Sequence, residues 1–305
     1  MLDPVSDHEI EHMSQMDPTG QVYLDDPDMV KNAIGAILEK LYGQRYDEAL
    51  LSSSINDLVA AYHGNYRGLI RCDTLYHDLR HALETGLTTA RLIDGHVKEG
   101  GEPLDADHAM LLVLLALFHD IGLLRRDTEG HLYGPVLIPV HEERGVAFMQ
   151  DYLSRTSLAG WSEKSVLIMA TKLVFVLPEN WSSLDARLAG MLASADLLCQ
   201  LADRCYLEKC RDFLFVEFSA MGIAGKTDSL YPDRETLLAK TPDFYSKIIR
   251  RRLDVDFKGV HKLIELHTGG TNPWEDAIKR NLVFLENMLS QKDFSRLQRH
   301  PKSVI

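Results

Sequence analysis

Apolar residues recur at helical spacing along almost the whole chain. From Met29 onward Ile34, Ile37, Leu38 and Leu41 form a stripe, and comparable stripes occupy 55–62, 75–93, 106–119, 142–153, 163–176, 184–218, 243–266 and 273–289. A spacing of three and four residues is the signature of an amphipathic helix, and few segments alternate with the period of a strand. Breaks fall where helices must stop: Gly95 with Gly100, Gly101 and Pro103; Gly122 through Gly134, Pro135 and Pro139; Pro178; Gly222 and Gly225; Gly269 and Gly270. The pattern predicts an all-α protein of eight to ten helices. No fixed-period repeat, low-complexity stretch or linker divides it, so one domain over 29–290 is expected, flanked by tails at 1–28 and 291–305.

Composition narrows the function classes. The chain has 305 residues, 45% of them apolar and 26% charged, as in an ordinary globular protein. A chain this long buries about three quarters of its unfolded surface, so the core needs no metal to hold it together. The net charge of −12 is concentrated: Asp3, Asp7, Glu9, Glu11, Asp17, Asp25, Asp26 and Asp28 precede the first Lys or Arg, leaving −4 for the rest. Residues 1–28 therefore read as an acidic, flexible tail. The nearly balanced body offers no basic stripe for tracking phosphates, which argues against nucleic acid as a partner. Cys72, Cys199, Cys205 and Cys210 lack metal-site spacing and fit reduced thiols in the cytoplasm. The longest apolar run, Met110 to Phe118, is too short to span a bilayer, so no membrane partner is expected.

Chemistry is concentrated in His and Asp residues set on apolar helices. Tyr76-His77-Asp78-Leu79-Arg80-His81-Ala82 places imidazoles at i and i+4, on one face if the segment is helical. The run Leu111–Phe118 is apolar on every side and ends in His119-Asp120. Asp196 stands alone in the apolar stretch Met191–Leu198. Burying such groups is costly unless each is paired or bound to a cation. Imidazoles and carboxylates converging from three helices would make a mixed nitrogen and oxygen site for a divalent transition metal. His141, at a helix start, and Lys172, in the otherwise apolar Val166–Val176, are further candidates.

The order His, His-Asp, Asp, with 38 residues from His81 to His119 and 76 from Asp120 to Asp196, resembles the HD-domain metal-dependent phosphohydrolase superfamily. The resemblance covers Tyr76 to Asp196 and implies an HD-type helical core with His81, His119, Asp120 and Asp196 as metal ligands. Residues 76–82 also look like the Tyr-His-Asn-x-x-His-Ala signature of cyclic-nucleotide phosphodiesterases, with Asp78 in place of Asn. On that likeness His77 would be the general acid. His119-Asp120-Ile121-Gly122 is similar to the opening of the HD-GYP enzymes, but no Gly-Tyr-Pro occurs. His141 resembles the helix-start histidine that dinuclear members use as an extra ligand. Lys172, where such members commonly place another histidine, could instead hold a phosphoryl group or flank a second metal. One divalent ion per chain (Mn, Mg, Ni, Fe or Zn) is expected ahead of two.

The implied activity is hydrolysis of a small phosphate ester, such as a nucleotide or cyclic nucleotide, with Asp120 orienting water and His77 protonating the leaving oxygen. The alternatives are an HD-fold di-iron oxygenase and a catalytically degenerate metal- or nucleotide-binding module. A homo-oligomer is compatible with the sequence. Several charged groups read as surface features: Asp203-Arg204 and Glu208-Lys209 as solvated or intrahelical pairs, and Arg250-Arg251-Arg252 as an exposed helix face. Residues 205–305 carry no assignable motif; if they close the pocket, they would hold the specificity.

Overall fold

A computed structural model describes residues 15–303. The described chain is all-α: eleven α-helices joined by 3₁₀ and π turns, with isolated β-bridges and no strand among the described residues. The helices are α1 (Pro27–Tyr42), α2 (Glu48–Tyr62), α3 (Leu79–Glu99), α4 (Ala106–Leu117), α5 (His141–Leu153), α6 (Ser183–Ala202), α7 (Tyr206–Lys209), α8 (Phe215–Ala220), α9 (Arg234–Phe244), α10 (Leu263–His267) and α11 (Pro273–Gln291). Aspartate, serine or asparagine side chains accept first-turn amides at most of the longer helices: Asp26, Asp47, Asp78, Asp105, Ser182, Asp233 and Asn272. These caps satisfy amides that have no partner inside the helix.

Helix α3 is the axis of the molecule. It packs against α1, α4, α6 and α10, and every residue from Leu79 to His96 is buried. Its partner α4 is apolar on all sides from Ala109 to Leu117, as the sequence requires of a helix enclosed by others. The stretch Ala106–Leu123 has the length and hydropathy of a membrane span, but most of it is buried inside the fold. The four cysteines are free and buried.

Several expectations are corrected. The acidic segment is not a loose tail over its described part: Val22 and Leu24 join the core, Asp17 pairs with buried Arg91 and Asp25 with buried Arg80. A guanidinium inside α3 must be paired, and the acidic segment supplies the carboxylates. Residues 1–14 lie outside the described residues. The C-terminal segment also docks, with Leu297 buried and its carbonyl oxygen accepting from Arg211.

The periodicity at 163–176 marks a 3₁₀ segment, Ala159–Thr171, rather than an α-helix. The stripe at 184–218 breaks after Ala202 and resumes as α7, a π turn at Cys210–Leu214 and α8. That at 243–266 is interrupted by π turns at Tyr245–Ile249 and Arg252–Asp256.

The surface reading of the charged groups holds for Arg204 and Arg251, which are exposed, and fails for their neighbours. Lys209 and Asp203 form a buried ion pair at 2.6 Å. Glu208 is buried, and Arg252 is buried while donating to the carbonyls of Ala170, Leu173 and Phe175.

Candidate metal centre

Asp78 determines where His81 sits. Its carboxylate caps α3 by accepting the His81 amide at 3.0 Å, so His81 lies in the first turn. His77 precedes the helix, and the expected i, i+4 pairing on one helical face does not occur. The two rings still approach, with centroids 6.4 Å apart.

His119 follows the end of α4, where the last carbonyls lack helical partners. Its Nδ1 lies 2.8 Å from the Ala116 carbonyl oxygen. A carbonyl only accepts, so Nδ1 carries a proton and Nε2 is the nitrogen left to face the site. The same logic holds for His141, whose Nδ1 donates to the Ile138 carbonyl at 2.6 Å. Asp196 projects from α6, and Gln200, one turn on, donates to its Oδ1 at 2.5 Å.

These groups converge. His81 Nε2 is 3.2 Å from His119 Nε2 and 3.1 Å from Asp196 Oδ1. Asp120 Oδ2 is 3.3 Å from His119 Nε2 and 3.6 Å from His81 Nε2. The other Asp120 oxygen faces His141 Nε2 at 3.3 Å. Asp120 Oδ2 is buried without a hydrogen-bond partner.

His81, His119 and Asp196 form a mutually close, buried set that could hold a metal ion. Donors bonded to one ion at about 2.0–2.2 Å stand roughly 2.8–3.1 Å apart at right angles and roughly 3.3–3.6 Å apart at the tetrahedral angle. The separations between these groups run from 3.1 to 3.7 Å, so the donor set fits a divalent cation.

The electrostatics point the same way. Burial opposes charge on His119, yet Asp120 and Asp196 raise its pKa well above the ordinary value. Burial likewise opposes charge on the two carboxylates, and the imidazoles override it, holding Asp120 and Asp196 well below the carboxylate range. A pocket that pulls protons onto its imidazoles is equally a pocket that attracts a cation.

A close backbone crossing holds the parts together. Gly122, in the turn after Asp120, lies against the start of α5, where an added Cβ would sit 1.9 Å from the His141 carbonyl oxygen. Arg144 ties the same turn down, donating to the carbonyls of Gly122 and Leu124 and pairing with Glu129. His141 thereby faces Asp120.

Lys172 reaches the site's edge, but its ammonium is 2.6 Å from Glu143 and 3.8 Å from Glu142. Thus its charge is engaged by the start of α5.

Sequence reasoning missed Glu217. From α8, 140 residues away, its buried carboxylate takes His77 Nδ1–H at 2.7 Å and the Tyr76 amide at 2.7 Å. Burial opposes protonation of His77, but Glu217 overrides it and raises the imidazole to about 9. A lone acid in the apolar run 213–218 was the available signal, by the same cost argument that singles out Asp196.

His77, Asp120, His141 and Asp196 open onto a cavity of about 430 Å³. Much of its far wall comes from residues 201–249, so the segment without a motif does close the pocket.

A family model described as Npun_R2479-like matches residues 128–263. The matched segment contains His141, Lys172, Asp196 and Glu217 and stops short of His77, His81, His119 and Asp120. No curated protein and no solved structure matches the chain.

Proposed function

We propose that this protein is a metal-dependent phosphohydrolase of the HD type, with His81, His119, Asp120 and Asp196 holding one divalent ion. The supporting observation is the meeting of His81, His119 and Asp196 at the buried end of a cavity, with Asp120 Oδ2 beside both imidazoles and left unpartnered. When bound, a divalent ion such as Mn, Mg, Ni, Fe or Zn lowers the pKa of water toward about 7 and polarises a phosphoryl oxygen.

The chain's own residues divide the remaining work. Asp120 orients the attacking water and accepts one of its protons as the water oxygen bonds to phosphorus. The bond from phosphorus to the leaving oxygen breaks, and that oxygen takes a proton from His77. Glu217 holds the His77 ring through Nδ1 and favours its protonated form, leaving Nε2 for the leaving group. The proton on Asp120 returns to His77 through solvent, so an ester and water become an alcohol and phosphate. A di-iron oxygenase would need further histidines on the segment 166–176, which offers Thr171 and Lys172 instead.

Elemental analysis together with phosphate release from a panel of esters tests the reading. His119→Ala and Asp120→Ala lose both metal and turnover. His77→Ala keeps the metal and slows turnover by roughly 10²- to 10⁴-fold. Full metal retention in Asp120→Ala contradicts the assignment, and a metal-loaded protein that releases no phosphate from any ester is a binding module.

A further inference from the structure

Resting on the hydrolase reading, we infer that the organic group of the substrate is apolar, an alkyl or fused-ring alcohol esterified to a single phosphoryl group, rather than a nucleoside. Beyond the metal centre the cavity wall is built from Leu197, Leu214, Phe218, Leu237, Phe244 and Val174.

Most of its polar side chains already have partners in the protein. Gln200 donates to Asp196, Thr171 to the Ile168 carbonyl and Thr241 to the Leu237 carbonyl. Lys240 donates to the Leu230 carbonyl and lies over the Tyr231 ring, and the Tyr206 hydroxyl is paired with Cys210. Glu142 and the Tyr231 hydroxyl are the polar groups left on this wall. A ribose or a base edge entering this space would exchange water for walls that return few hydrogen bonds, at a cost that apolar ligands avoid.

Charge limits the anionic part as well. Lys172 and Lys240 are the ammonium groups on the lining, and both are engaged, while Asp120, Asp196 and Glu142 contribute acids. With one divalent ion and His77 as the protonated acid, the lining carries about two positive charges, which matches one phosphoryl group and not a polyphosphate.

The entrance matches the interior. Leu173 and Val174, both on the lining, are exposed, Val174 to 89%, and Val176 two residues on is 87% exposed, so the edge of the cavity at this segment is apolar. A volume of about 430 Å³ is in the range that encloses a small organic molecule.

Titration calorimetry of the full-length, metal-loaded protein with n-butyl, n-hexyl and n-octyl phosphate tests this, with adenosine 5′-phosphate as comparator. Kd falls about fourfold per methylene, equivalent to about 0.8 kcal/mol each, so about fifteenfold from butyl to hexyl. Phe244→Ser and Leu214→Ser each flatten the series while metal content stays at the wild-type value.

Equal affinity across the alkyl series, or tighter binding of adenosine 5′-phosphate than of octyl phosphate, overturns the inference. Ester hydrolysis accompanied by a flat series leaves the hydrolase reading standing without it. A steep series in a protein that hydrolyses no ester supports the apolar cavity and overturns the hydrolase reading instead.

Discussion

Replacing Glu217 by glutamine isolates the contact that governs His77. The glutamate is fully buried, receives the His77 Nδ1 proton at 2.7 Å and takes the Tyr76 amide on its other oxygen. Glutamine keeps the shape and can still accept from Tyr76, but it removes the negative charge. If its amide then donates to Nδ1, the neutral ring is favoured. The imidazole, raised from 6.5 to about 9 by Glu217 against the pull of burial, should fall to the ordinary value or below it.

The interval between those values, at 1.36 kcal/mol per pH unit, is about 3 kcal/mol. Because the folded pKa is raised, this stabilisation is complete below about pH 6.5 and is lost as pH rises through about 9. Wild type should therefore exceed Glu217→Gln in stability by about 3 kcal/mol more at pH 6 than at pH 10. Urea unfolding of the metal-free proteins at both pH values measures the difference, and the carbon-bound ring protons of His77 report its titration by NMR. An unchanged His77 midpoint in the variant would refute the assignment of Glu217 as its positioning residue.

Other parts of the site give independent tests. A divalent ion at a hundred times its Kd should stabilise the wild type by about 2.7 kcal/mol, a Tm rise of about 4 °C for a chain of this length; Asp196→Ala should show none by calorimetry. Gly122→Ala, whose new Cβ would overlap the His141 carbonyl oxygen, should cost at least 1–3 kcal/mol in urea unfolding, and wild-type stability there would show that the turn tolerates a side chain. Arg252→Met removes three donations to the carbonyls of Ala170, Leu173 and Phe175. It should lower stability by about 3 kcal/mol and speed proteolysis between 170 and 178, whereas cleavage at the wild-type rate would mean the segment is held by something else.

What the sequence made legible follows from the range of the forces involved. Helical periodicity reports a local preference, so the all-α class and most helix positions could be read directly. The convergence of His81, His119 and Asp196 could be anticipated because burying such groups demands a partner, wherever that partner lies. The errors arise where the partner is distant. Arg80 and Arg91 took their carboxylates from the acidic segment that composition had marked as loose. Arg252 found backbone carbonyls about 80 residues away, which no charge pattern reveals. The position of His77 was misjudged for a local reason: an aspartate at 78 is a natural cap, and heading α3 with Asp78 leaves residue 77 outside it.

The chain separates chemistry from fit. The four candidate ligands lie on α3, α6 and the turn closing α4, with His77 just ahead of α3, and these elements are packed into one core. Much of the wall facing them comes from 201–249, where π turns at Cys210–Leu214 and Tyr245–Ile249 place Cys210, Leu214 and Ile249 on the cavity. A π turn forfeits regular helical hydrogen bonding and is found disproportionately at functional sites. Two of them on one cavity wall mean that the shape of the pocket is maintained at the expense of local regularity. Glu217 joins the two parts, since it rides on the wall segment and holds His77, the acid of the proposed reaction. If the hydrolase proposal holds, substitutions on the wall should alter which alcohol is accepted without moving the candidate ligands, except at Glu217, where fit and proton transfer change together.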